Sequence, residues 1–170
     1  MLIRHETLTD CAAIAALTTA AFRDAPHASG TEASIVDALR AANALTISLV
    51  ASDDDGIVGH IAFSPVTIVP TKIMPVTDRW FGLGPLSVRP DRQRKGIGTA
   101  LVETGLKQLR AMGVAGCVVL GDPAYYARFG FTSDPLLRYA DLPPQYFQRI
   151  VFKGAPPSGD VTYHSAFDAG

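Results

Sequence analysis

Cysteine is scarce in this chain: Cys11 and Cys117 are the only two, far apart and without metal-ligand spacing around either. That excludes a disulfide scaffold and a cysteine-based metal site, and it points to a reduced, cytoplasmic setting. Histidine adds nothing to a metal reading, because His5, His27 and His164 are scattered and no pair has ligand spacing. No metal is expected. Long apolar runs are missing too. No stretch approaches the ~18 residues of a membrane helix, and the opening MLIRHETLTD has no apolar core of signal-peptide length, so a soluble, unexported protein is expected. An excess of one charge is also absent. A formal net charge of −1 removes the global electrostatic case for nucleic acid or an anionic membrane as a partner, so any basic patch must be local.

What is present suits one core. A chain of 170 residues with 48% hydrophobic content buries one substantial interior, and a single domain over 1–170 is expected. LIRHET reads as a short strand, followed by a helix capped at Thr9 or Asp10 and running to about Phe22. Ser29 followed by Glu32 is a capping-box pattern for a second helix over about Thr31 to Ala42, with Ile35, Val36 and Leu39 on its apolar side. LTISLVAS and GIVGHIAFSPVTIV are β-rich, and DDDG between them carries the Asp-Gly chemistry of an antiparallel hairpin. Pro65 has no ladder donor, so the second strand should bulge, bend or lie at an edge there. A strand over about Trp80 to Arg89 contains Gly82, Gly84 and Pro85, which a splayed or bulged strand accommodates. Ile97, Leu101, Leu106, Leu109 and Met112 recur at helical spacing before Gly113, and AGCVVLG reads as a buried strand. Leu86–Gly121 is then a right-handed strand–helix–strand unit with parallel strands. Pro123 to Phe129 suits a short helix, and further strands are expected around Phe147–Phe152 and Val161–Phe167.

The chemistry concentrates in LSVRPDRQRKGIGTALV. A strand ending at Arg89 and a helix opening near Ile97 aim unpaired backbone N–H groups into one concavity, where the helix dipole also favours an anion. Gly96 and Gly98 let a ligand approach the backbone, while Arg89, Arg92, Arg94 and Lys95 outnumber Asp91. A pyrophosphate fits that pattern, although a solvated basic turn would read the same way. The segment is not a Walker loop, and it lacks the third glycine of the dinucleotide fingerprint.

Gln93-Arg-Lys-Gly96-Ile-Gly98 resembles the coenzyme A signature of the GNAT superfamily of N-acetyltransferases. AYYARFGF, Ala124 to Phe131, resembles that family's second signature, in which a Tyr stands four residues before Gly-Phe. That Tyr is Tyr126. GHIAFSPV, YYARFGF and VTYHSAF look most like a branch of predicted bacterial acetyltransferases whose acceptors are poorly defined. The resemblance implies an α/β (α+β) fold: a mixed, mostly antiparallel sheet with a splayed parallel pair and flanking helices. It also implies acetyl-coenzyme A as cosubstrate, with main-chain groups of Leu86, Ser87 and Val88 holding the pantetheine arm. The Val88 N–H would stabilise the thioester oxyanion. Arg94, Lys95, Gly96, Ile97, Gly98, Thr99 and Ala100 would surround the pyrophosphate. Homodimers are common in the family.

Acetyl transfer to an amine needs a neutral nucleophile, oxyanion stabilisation and protonation of the departing thiolate. The resemblance gives the last task to Tyr126; its neighbour Tyr125 is the rival, and the residues alone do not choose between the two. For a base, three candidates stand beside a water relay. Glu32 has a sufficient capping role, His60 is a lone strand histidine, and Asp122 also suits the cap of the helix at Pro123. Cys117 inside GCVVL reads as a small buried hydrophobe, which favours direct transfer over an acyl-enzyme. The function implied is N-acetylation of a small-molecule or peptide amine. Use of a longer acyl donor and a non-catalytic acyl-coenzyme A sensor are the alternatives.

Overall fold

The computed structural model describes residues 1–26, 28–71, 76 and 78–169, so His27 lies outside the described residues. Among the described residues, eight strands form a mixed, mostly antiparallel sheet: β1 (Leu2–His5), β2 (Ile47–Asp53), β3 (Gly56–Pro70), β4 (Trp80–Val88), β5 (Gly116–Leu120), β6 (Leu137–Arg138), β7 (Phe147–Val151) and β8 (Gly159–Tyr163). Among the described residues, four α-helices accompany them: α1 (Cys11–Phe22), α2 (Glu32–Ala41), α3 (Ile97–Ala111) and α4 (Pro123–Tyr126). The chain divides into two compact units, residues 1–64, 84–105 and 165–170 in the first and 65–83 and 106–164 in the second. β3, β4 and α3 pass from one unit to the other.

In the first unit, β1 pairs with β2 and β2 with β3, both antiparallel, and the DDDG turn closes the β2–β3 hairpin as expected. α1 and α2 follow their expected spans, and Asp10 is the N-cap residue of α1 as expected, but its side chain makes no cap bond to that helix and turns back to the preceding residues. The carboxylate of Asp10 accepts the Thr7 N–H at 2.7 Å and pairs with Arg4 at 2.7 Å, so the chain enters α1 through a 3₁₀ turn at Leu8–Asp10. The second cap follows the sequence pattern, with the Ser29 N–H donating to Glu32 Oε1 at 2.8 Å. Ile35, Leu39 and Ala44 pack with Ala166 and Phe167. That contact corrects the tail. The last strand stops at Tyr163, and Ser165–Asp168 turn as a 3₁₀ segment because Ala166 is drawn onto α2.

In the second unit, the remainder of β3 pairs with β8, β8 with the two-residue β6, β4 with β5 in parallel, and β5 with β7. Pro65 falls after the last β2 pair, Ile47 with Phe63, and before the first β8 pair, Val66 with Tyr163. It occupies the change of partner from β2 to β8. The core joins Ile68, Trp80, Ala115, Val118, Leu137, Phe147 and Val161. Gly82 has its own reason. A Cβ there would stand 2.5 Å from the Tyr163 ring, so the glycine makes room for an aromatic on β8. In α3 the buried positions are Ile97, Leu101, Val102, Leu106 and Leu109, whereas Met112 lies past the helix end and is exposed, with Gly113 in the left-handed region. The Arg110 guanidinium covers the Phe152 ring at 4.9 Å.

Candidate active site

The β4–β5 ladder joins Trp80–Leu83 to Gly116–Val119 and ends there, while β4 itself continues to Val88. In the first unit that continuation carries Leu86, Ser87 and Val88. Ser87 is buried and its hydroxyl lies 3.4 Å from the buried Thr18 hydroxyl on α1. The Val88 carbonyl accepts the Gln93 Nε2 at 3.1 Å. Gln93 thus ties the loop that opens α3 back to the end of β4.

That loop has the backbone of an anion cradle. Arg94 has φ +62° and Gly96 φ +85°, so the chain turns through two left-handed residues before α3 begins at Ile97. The helix makes its first internal bond from the Ala100 N–H to the Gly96 carbonyl at 3.0 Å. N–H groups of Ile97, Gly98 and Thr99 belong to the opening turn, which has no partner within the helix and lies at the positive end of the dipole. Ile97 is buried and anchors the turn, while Arg94 and Lys95 are exposed.

Two of the basic residues have another duty. Arg92 binds Asp53 at 3.1 Å and Asp91 at 3.0 Å, and it also contacts Asp55. Arg89 binds Asp91 at 2.6 Å and lies 3.7 Å from Asp55. The Asp55 N–H holds the Asp53 carboxyl below its usual range against some desolvation, with Arg92 adding to the effect. Asp91 together with Asp53 and Asp55 of the β2–β3 hairpin therefore neutralises half of the basic cluster counted along the chain. Arg94 and Lys95 take no part in these pairs.

In the second unit, Tyr126 closes α4. Asp122 caps this helix by accepting the Ala124 N–H at 2.9 Å, so the cap reading of that carboxylate is the one its geometry fills. The Tyr126 ring meets Tyr125 edge-on at 5.0 Å and Phe131 at 5.9 Å. Burial pushes its phenol well above the usual tyrosine range, and neighbouring Tyr125, Cys117 and Asp122 push in the same direction. It is protonated at neutral pH. Tyr125 instead lies under the Arg128 guanidinium, 4.5 Å away.

The base candidates separate by environment. His60 is fully buried on β3, with Nε2 2.8 Å from Ser48 Oγ and 4.0 Å from Glu6. Its Nδ1 has no hydrogen-bond partner among the described residues. Desolvation lowers its pKa to about 4, Glu6 opposing and Arg40 assisting, so the ring is neutral. Nearby, a cavity of about 240 Å³ is lined by Glu6, Arg40 and Ser48, whose charged groups already pair with one another. Glu32 is engaged by Ser29. Cys117 is buried at the far side of any nucleophile's requirements: desolvation drives its thiol pKa upward, and Sγ lies 3.6 Å from the Val118 carbonyl.

Among the described residues, no group of three or more His, Cys, Asp or Glu is placed to hold a metal ion, and no helix is long and apolar enough to cross a membrane. Comparison with known proteins adds the following. A family model described as the acetyltransferase (GNAT) family matches residues 12–131. The Escherichia coli N-acetyltransferase YhbS is 41% identical over 132 residues, which cover 77% of this chain and 73% of that protein. A crystal structure of a GNAT family acetyltransferase from Brucella melitensis, in complex with acetyl-CoA, superposes with a TM-score of 0.84. It is 49% identical and covers 98% of this chain and 97% of its own. The crystal structure of Escherichia coli YhbS with CoA gives a TM-score of 0.86 at 36% identity, covering 98% and 91% respectively.

Proposed function

The chain belongs to the GNAT family of acetyltransferases, and from that premise we propose that residues 1–170 act as one domain moving the acetyl group of acetyl-coenzyme A directly to a primary amine. The observation that carries this reading is the loop from Gln93 to Thr99. Its two left-handed residues and the open turn of α3 offer main-chain donors to a pyrophosphate without a side chain in the way. The acetyl-CoA complex of the Brucella relative supports the same ligand.

The chain's residues then have defined tasks. Main-chain groups of Leu86, Ser87 and Val88 hold the pantetheine arm, and the Val88 N–H stabilises the oxyanion as the amine nitrogen adds to the thioester carbonyl carbon. The C–N bond forms and the C–S bond breaks. Tyr126 gives its proton to the departing thiolate and regains one from the proton that the amine sheds to water. Water is assigned that step because Glu32, Asp122 and His60 each have a structural partner or are buried neutral. The acceptor is a small-molecule or peptide amine.

The test is thioester loss from acetyl-coenzyme A with a panel of amino acids, polyamines, aminoglycosides and peptides. Acceptor-dependent turnover that drops by ~100-fold or more in Tyr126→Phe and persists in Tyr125→Phe is the expected result. Tight acetyl-coenzyme A binding with no turnover on any amine would replace the enzyme by a sensor.

A further inference from the structure

Helix α4 is only four residues long, too short to fix its own last side chain. Tyr126 nevertheless has a defined seat, and that seat is built from the β5–β7 edge. Gly121 directly follows β5. Its N–H donates to the Tyr146 carbonyl at 2.9 Å, and its carbonyl accepts Nε2 of Gln148 at 3.1 Å. The same amide nitrogen lies 3.4 Å from the Tyr146 carbonyl. Gln148 is 2% exposed, a buried polar side chain on β7 whose register partner is Val119. Both main-chain groups of Gly121 are thus pinned.

The pinned residue touches the phenol. A Cβ at Gly121 would stand 2.5 Å from Cε2 of Tyr126 and 3.2 Å from Cδ2, closer than packed atoms tolerate. The ring occupies the space that the missing side chain leaves, with Phe131 and Tyr125 against it at other angles.

We propose that Gly121 and Gln148 are positioning residues for Tyr126: Gln148 fixes the end of β5, and the bare backbone of Gly121 sets where the Tyr126 ring lies. The consequence for turnover rests on Tyr126 acting as the acid; the seating of the ring does not. Gly121→Ala is a sharp probe, because the glycine backbone is outside the left-handed region and only the ring must move. Gln148→Met keeps length and shape but removes the N–H donor.

The experiment labels tyrosines with ¹³C at Cζ, assigns Tyr126 by its loss in Tyr126→Phe, and follows its NMR signal against pH. Tyr125, Cys117, Asp122 and Tyr163 are the titratable groups coupled to this phenol. In the parent chain the Tyr126 signal stays fixed where ordinary phenols ionise, near pH ~10. In folded Gly121→Ala and Gln148→Met it begins to titrate in that range, while kcat on the same amine panel falls ~10- to 100-fold with KM for acetyl-coenzyme A little changed. Tyr126 behaviour identical to the parent in both variants overturns the proposal. A displaced titration with unaltered turnover upholds the seating and instead removes Tyr126 from the chemistry. Should Gly121→Ala fail to fold, Gln148→Met alone decides.

Discussion

Nε2 of His60 stands 2.8 Å from the hydroxyl of Ser48, which itself donates to Glu6. A hydroxyl that gives its proton to a carboxylate receives one from the ring, so Nε2 carries the hydrogen and Nδ1 is bare. Burial opposes ionisation of Glu6, but hydrogen bonds from Arg40 and Ser48 outweigh it and leave the carboxyl below its ordinary value. The folded chain therefore keeps a neutral imidazole against an ionised Glu6–Arg40 pair.

Acid should unfold the protein through this group. His60 has a folded pKa of about 4 against an ordinary 6.5. Between those values the unfolded chain binds a proton that the folded one refuses, so stability is complete above about pH 6.5 and declines as pH falls toward 4. The loss is on the order of 3 kcal/mol. Glu6 adds loss in the same direction at lower pH. Urea unfolding across this window should show the slope in the parent and a flatter profile in His60→Gln; equal slopes would remove His60 as the cause.

The ion pairs around Arg92 predict a result opposite to the usual loss on breaking contacts. Removing the charges of Asp53 and Asp55 with asparagine leaves Asp91 as the one acid on Arg89 and Arg92, and so raises the local positive potential beside the turn that opens α3. Exposed pairs contribute little to stability, so folding should barely change. Calorimetric titration with coenzyme A should show binding tightened by ~2- to 5-fold at low salt, with the gain vanishing at high salt. Weaker binding would mean that the acids shape the loop.

Gly96→Ala should leave the fold standing and harm the ligand. Its Cβ would meet nothing within 4 Å, so the penalty is the φ of +85°, about 1 kcal/mol for a residue that must hold a left-handed conformation. If the loop relaxes to relieve that strain, its N–H groups leave the cradle. Coenzyme A affinity should fall ~5- to 10-fold with a small change in Tm; unaltered affinity would move the pyrophosphate elsewhere.

Cys117 should be chemically silent. Its buried thiol resists ionisation, whereas Cys11 is partly exposed. Iodoacetamide on the folded chain, read by peptide mass spectrometry, should modify Cys11 and spare Cys117. Cys117→Ala should retain kcat, since the direct transfer proposed above forms no thioester on the enzyme. A labelled Cys117 or a lost kcat would reopen the covalent route.

Much of this architecture was legible because local signals and tertiary structure agreed. DDDG closed the β2–β3 hairpin, Ser29 and Glu32 met at the start of α2, and the periodicity from Ile97 to Leu109 became α3. The family membership was carried by two short motifs. What escaped depended on partners distant in sequence. Nothing around Arg92 reveals that the hairpin acids reach it, and only the folded tail shows Ala166 turning onto α2 instead of extending β8. The two-residue β6 is too short for any alternation to register. Gln148 did leave a trace: in FQRIV it shares a strand face with the buried Ile150, and an amide on an apolar face asks what it binds.

The β2–β3 turn has a bearing on how this protein tolerates change. Exposed hairpin tips normally accept insertions, duplications and grafted epitopes at little cost. Here Asp53 at the end of β2 and Asp55 in the turn itself both meet Arg92. One codon added between them would rotate or displace one carboxylate relative to the other, so a library of lengthened turns should be depleted at this site even though its residues face solvent.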